Sequence, residues 1–212
     1  MVAEQLYERG ITVGKFIPII EYDLPNKPYD IDTNKEARQG YKRDCAEVYN
    51  KRADIFKRSC RTRMTMEAVK LFKDKKEFFI PWSFDYRGRA YPIPAFLTPQ
   101  DTDFGKSLLK FSEESLMVEH AEDWLAFHVA TTYGLDKSPM HERLQWVADN
   151  HEVISAVATD PIANISEWES AEEPWQFLAA CDEYYHCVLK CDRHFTHLPV
   201  ATDATCSGLQ IL

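Results

Sequence analysis

The stretch HLPVATDATCSGLQIL, residues 197–212, decides how this chain is read. Its apolar start, Leu198 to Thr202, predicts a short strand whose C-terminal edge presents Asp203. Ala204, Thr205, Ser207 and Gly208 leave little side-chain bulk around that carboxylate. A hydrated cation and a triphosphate can therefore approach it and the neighbouring carbonyl, and magnesium requires such an oxygen-rich, uncrowded place. The plainer alternative makes Asp203 the N-cap of a helix over CSGLQIL.

A second stretch, PWSFDYRGRAY at residues 81–91, sets Gly88 between two arginines. The glycine lets Arg87 and Arg89 point differently, and Tyr86 and Tyr91 add flat rings beside the guanidinium groups. Arginine with aromatic side chains suits gripping a nucleic-acid backbone and stacking on bases. The plainer alternative is a turn in which Asp85 ion-pairs with Arg89.

The net charge of −9 argues against nucleic acid only until it is divided along the chain. From Lys35 to Lys76 there are fourteen Lys and Arg against six Asp and Glu, whereas from Glu113 to Asp192 seventeen acids face three bases. Such a chain offers one positive surface whatever its total charge. Solvated faces of long helices would give the same counts.

No apolar run approaches the ~20 residues that cross a bilayer, and MVAEQLYERG carries acids where a secretory leader has a basic start. The expectation is a soluble, intracellular chain whose six cysteines are reduced thiols. In CVLKCDRHFTH, Cys187, Cys191, His194 and His197 raise a zinc site, but the run continues an amphipathic helix, so buried thiols on a helix face are the expectation.

Residues 1–34 are mixed, and DLPNKPYDID reads as an extended connector with Asn34 or Thr33 capping a helix. Helical spacing runs from Lys35 to Phe56 and again from about Arg63 to Lys73, with the basic segment KRADIFKRSCRTR at the junction. EFFIPWSF reads as a strand entering a turn. AEDWLAFHVATTYG is a helix with Trp124, Phe127, His128 and Thr131 at turn spacing and Gly134 as C-cap. HERLQWVADNHEVISAVATD holds one or two helices before Pro161, and EEPWQFLAACDEYYHCVLKC another, with Pro174 in its first turn.

Together the two motifs resemble those of the single-subunit, bacteriophage T7-type DNA-directed RNA polymerases, a family that includes the mitochondrial enzymes. PVATDATCSGLQ, Pro199 to Gln210, is similar to the family's palm motif with its first catalytic aspartate, and DYRGRAY, Asp85 to Tyr91, to its D-x-x-G-R motif. Weaker similarity extends to LPNKPYDID, the basic helices and TPQDTDFGKSLLKF. Where the family often has Gly, Ser and His, this chain has Ala204, Thr205 and Ile211. Alanine and threonine are small enough to keep access to Asp203.

The resemblance implies an α+β, predominantly helical chain forming an incomplete right-hand polymerase. Residues 1–77 would be a thumb-side helical region, and 78–212 the first part of a palm with a helical insertion at about 113–195. It implies that Asp203, with the Ala204 carbonyl, binds Mg2+, and that Arg87, Arg89 and Tyr91 contact template and hybrid. Lys57, Arg58, Arg61 and Arg63 would lie along the RNA:DNA hybrid, and Lys106 near the active centre. The implied partners are a DNA template, an RNA transcript, ribonucleoside triphosphates and the remainder of a polymerase, with no membrane. A phage protein in the bacterial cytoplasm is the expected setting, ahead of a mitochondrion. The family's second catalytic aspartate lies well beyond the first, and these residues stop nine after Asp203. The implied object is a partial polymerase, inactive alone.

Two rivals remain. One is a non-catalytic nucleic-acid-binding module using the basic helices, its affinity salt-dependent and indifferent to Asp203. The other is a helical interaction protein using the acidic half, with both motifs accidental.

Overall fold

In the computed structural model, which describes residues 1–201, Asn34 is the helix cap. Its Oδ1 accepts from the amides of Glu36 at 3.0 Å and Ala37 at 3.2 Å, satisfying two donors that lack an intrahelical partner. The helix it starts, Lys35–Arg58, follows a shorter one, Val2–Glu8; these are α2 and α1. α3, Cys60–Phe72, comes next after Ser59 alone. The expected break over the basic segment is therefore nearly absent. Ser59 still donates its amide to Ile55 at 2.8 Å and its hydroxyl to the Phe56 carbonyl at 3.2 Å, so helical bonding persists, and Lys and Arg are good helix formers. α1 had no strong sequence signal because it is only seven residues long.

α2 buries only Ile55. The core lies elsewhere, among α1, the Val13–Phe16 turn and the later helices: α4 Asp103–Ser107, α5 Ala121–Tyr133, α6 Met140–Asp149, α7 His151–Thr159, α8 Ile165–Trp168 and α9 Pro174–Tyr184. Phe16, Phe104 and Trp175 meet with all three centroid separations at 4.8 Å, joining the first residues of the chain to α4 and α9. Each such ring pair contributes about 0.5–1.5 kcal/mol beyond area burial. Trp168, fully buried, donates to the Pro161 carbonyl at 2.8 Å. Pro174 opens α9, where a missing N–H costs nothing. The Asp103 carboxylate caps that end from α4, accepting from the amides of Trp175 at 2.8 Å and Gln176 at 3.0 Å.

Gly134 closes α5 at φ 133°, as its position indicated. The expected face of α5 is only partly right. Trp124 is 48% exposed, and the buried set is Leu125, Ala126, His128, Val129, Ala130 and Thr132. A helix packed against both α6 and α9 buries a wider arc than one stripe.

Among the described residues four short strands form two antiparallel ribbons. β1, Trp82–Phe84, pairs with β2, Ala90–Pro92; β3, Ser115–Leu116, pairs with β4, Phe195–Thr196. The strand expected over Leu198–Thr202 is not formed through Ala201. The described pairing stops at Thr196, and Pro199 has no N–H to contribute. Thr202 to Leu212, with Asp203 and Ala204, lie outside the described residues. α9 passes into a π-helical turn, Tyr185–Leu189, that the periodicity did not reveal. Of the expected buried thiols, Cys181 and Cys187 are buried, whereas Cys191 lies past that turn, exposed, at φ 54°. Among the described residues no helix is long and apolar enough to cross a membrane. The result is an α+β chain, mostly helical.

Candidate nucleic-acid interface

The β1–β2 ribbon exists to carry its loop. Its register, Trp82↔Pro92, Ser83↔Tyr91 and Phe84↔Ala90, leaves Asp85 to Arg89 as the connection. Asp85 and Arg89 close it through the Asp85 amide and Arg89 carbonyl at 3.0 Å, and Gly88 donates back to the Asp85 carbonyl at 3.0 Å. Gly88 has φ 76°, a left-handed conformation that a Cβ penalises, so glycine is favoured there.

Asp85 organises the side chains. Its Oδ1 accepts from the amides of Arg87 at 2.8 Å and Arg89 at 2.9 Å, and its Oδ2 from Arg87 Nε at 3.3 Å and Nη2 at 3.2 Å. The Arg89 amide, then the Arg87 amide and guanidinium, hold its carboxyl below the ordinary value despite some desolvation. The plainer alternative in the sequence paired Asp85 with Arg89. The ion pair goes instead to Arg87, whose guanidinium also lies 5.4 Å from the Tyr86 ring centroid. The Arg89 guanidinium makes no hydrogen bond or ion pair with any described residue. Tyr86 is 94% exposed, and Phe79, Phe84, Trp82 and Tyr91 are exposed nearby in sequence.

The four basic residues at the α2–α3 junction divide into two kinds. Lys57 is exposed and unpaired among the described residues, and Arg58 is exposed and only loosely held by Asp54 at 3.6 Å. Arg63 is half-buried and folds back on α2, its guanidinium 4.0 Å over the exposed Phe56 ring. Arg61 donates through Nε at 2.9 Å and Nη2 at 2.6 Å to Oδ1 of Asp101, whose side chain is fully buried. Asp101 also accepts from the amides of Leu97 and Thr102, both at 2.7 Å. A clamp thus joins α3 to the segment that follows β2. Sequence reading missed Asp101 and the role of Asp85 as acceptor of the turn's amides. Only the latter had a local signal, an aspartate three residues before a glycine.

Lys106 sits on α4 facing Glu173 at 3.8 Å. A second buried carboxylate, Glu183, accepts from Thr196 and Arg193, each at 2.6 Å, and lies 3.4 Å from Lys110 Nζ. It pins the β3–β4 ribbon to α9. Burial works to raise its carboxyl, but the Thr196 hydroxyl and the two cations outweigh that and hold it below the ordinary value. No group of three or more His, Cys, Asp or Glu among the described residues is placed to hold a metal, the Cys187–His197 run included.

Fold and loop define a mostly helical α+β protein with two arginines on a tight hairpin and two basic helices. Residues 116–212 match the family model of DNA-dependent RNA polymerase. The T7 RNA polymerase of Escherichia phage T7 is 36% identical over 195 residues, covering 92% of this chain and 22% of that protein. The DNA-directed RNA polymerase of Enterobacteria phage K11 is 34% identical over 195 residues, covering 92% and 21%. The mitochondrial DNA-directed RNA polymerase of Neurospora crassa is 31% identical over 191 residues, covering 89% and 13%. The chain belongs to the phage-type DNA-dependent RNA polymerase family. It spans about a fifth of the length of the phage relatives and less of the mitochondrial one.

Proposed function

We propose that this chain is the part of a template-dependent RNA polymerase that grips the RNA:DNA hybrid and supplies the first of two catalytic carboxylates. The observation that carries the reading is the Asp85–Arg89 hairpin, whose Arg89 guanidinium has no hydrogen-bond or ion-pair partner among the described residues, in a chain of this family. Residues 1–77 act as the thumb side and 78–212 as the start of the palm, with the acidic helices from about 113 to 195 as an outward insertion. Lys57 and Arg58 run along the hybrid backbone; Arg89 and Tyr91 contact template and hybrid near the reacting end.

Asp203 and the Ala204 carbonyl are the proposed holders of Mg2+. Held by those two groups, Mg2+ would supply Lewis-acid chemistry, favouring the deprotonated RNA 3′-hydroxyl and offsetting the charge of the triphosphate. The hydroxyl attacks the α-phosphate of a ribonucleoside triphosphate, a new phosphodiester bond forms, and pyrophosphate leaves. The residues of this chain position the hybrid so that the 3′-end meets the triphosphate, which converts an encounter into an oriented reaction. The proposed setting is the cytoplasm of a phage-infected bacterium.

The test is hybrid binding by the 212-residue chain, followed by fluorescence anisotropy. An Arg87/Arg89 double alanine variant is expected to bind roughly tenfold or more weakly, and Asp203→Asn to bind within about twofold of the parent in the absence of magnesium. Equal binding by the double variant and the parent would defeat the reading.

A further inference from the structure

The two arginines of the hairpin are not equivalent, and Asp85 makes them different. Its two carboxylate oxygens have separate tasks. Oδ1 takes the amides of Arg87 and Arg89, whereas Oδ2, among the described residues, takes the Arg87 guanidinium. Arg89 is tied to residue 85 at both ends of its own peptide unit, its amide to the carboxylate and its carbonyl to the Asp85 amide at 3.0 Å. With Gly88 at φ 76° before it, the direction in which Arg89 leaves the backbone is set.

We infer that Asp85 is a positioning residue: it fixes the turn, occupies Arg87, and leaves Arg89 as the guanidinium that engages a nucleic-acid phosphate. This rests on the hairpin being a nucleic-acid contact, as proposed above. It adds a specific ranking: Arg89 acts on the ligand, Arg87 braces the turn, and Asp85 acts through both.

Charge and positioning predict opposite effects for loss of the Asp85 carboxylate. Simple charge accounting says that deleting an acid beside a phosphate-binding arginine strengthens binding to a polyanion. Positioning says the reverse, because loss of the one oxygen that accepts both amides releases Arg89 from its direction. Asparagine separates the two effects, since it keeps an Oδ1 acceptor for both amides while removing the charge.

The experiment measures affinity of the 212-residue chain for a short RNA:DNA hybrid over a range of salt concentrations, using Asp85→Ala, Asp85→Asn, Arg87→Ala and Arg89→Ala. Arg89→Ala is expected to lower the slope of log K against log salt by about one, the signature of one lost phosphate contact. Arg87→Ala lowers it less. Asp85→Ala weakens binding roughly tenfold, the loss expected of about one hydrogen bond to a charged group, and Asp85→Asn stays within about threefold of the parent. Asp85→Ala binding as tightly as the parent, with Arg89→Ala still losing its unit of slope, overturns the positioning role and keeps the contact. Asp85→Asn as weak as Asp85→Ala overturns it too, since charge rather than the amide acceptor would then matter. An unchanged slope for Arg89→Ala removes the contact itself.

Discussion

Arg61→Ala should destabilise the protein by about 2–3 kcal/mol, although a half-exposed arginine on a basic helix invites the opposite expectation. The substitution removes two hydrogen bonds to Asp101, at 2.9 and 2.6 Å, and a longer one to the Ala95 carbonyl at 3.3 Å. It leaves a carboxylate of zero side-chain exposure with only the Leu97 and Thr102 amides for company. Truncating one partner of a fully buried pair costs about 3–5 kcal/mol; the lower figure applies because Arg61 is 49% exposed and water can enter its place. Leu97, held at φ 55° beside that carboxylate, should relax with it. Urea unfolding followed by tryptophan fluorescence measures the loss, and a double-mutant cycle with Asp101→Asn isolates the pair at about 1–2 kcal/mol. If Arg61→Ala costs under about 0.5 kcal/mol, within the range of ordinary surface changes, yet weakens hybrid binding as much as Lys57→Ala, Arg61 is a nucleic-acid contact and the clamp reasoning fails.

His128 is buried, and that burial pushes its imidazole down to about 4. The unfolded chain takes up the proton first, so stability is full above about pH 6.5 and falls as pH drops towards 4, by about 3 kcal/mol; urea midpoints should show this slope vanish in His128→Leu. Gly105→Ala would place a Cβ 2.5 Å from the Asp101 carboxylate; displacing that buried group should cost about 2 kcal/mol or more, read by the same unfolding assay. Glu183→Gln should loosen the β3–β4 ribbon, seen as faster amide exchange at Met117, whose amide bonds the His194 carbonyl at 2.9 Å. The 212-residue chain, holding one of the two proposed carboxylates, should give no template-dependent product in primer extension; a product would refute the assignment of Asp203 as half of the metal-holding pair.

Local chemistry made much of the fold legible. Asn34 before a run of Lys, Glu and Ala, Gly134 after an apolar helix, and Pro174 at a helix start each fix an end within a few residues, and each is where the sequence placed it. The turn after EFFIPWSF was legible because Gly88 lies in it, and glycine takes the left-handed conformation found there, φ 76°, without the cost a Cβ brings. What stayed hidden depends on contacts distant in sequence. Asp101 lies 40 residues from Arg61, and Asp103 caps a helix 72 residues away; neither has a local signature. Two of the four basic residues expected at the interface, Arg61 and Arg63, make contacts inside the protein, and a charge count cannot distinguish a bracing arginine from a solvated one. The π turn at Tyr185–Leu189 differs from an α-helix by one residue per turn, less than hydrophobic spacing resolves over five residues.

The most direct measurement is to map where nucleic acid lies on the chain, by photo-crosslinking a short RNA:DNA hybrid to the 212-residue protein and locating the adducts by mass spectrometry. The account predicts adducts at the α2–α3 junction around Lys57 and Arg58 and on the hairpin from Asp85 to Tyr91. Adducts confined to the acidic helices between Ala121 and Leu189, or no adducts where binding is measurable, would contradict it.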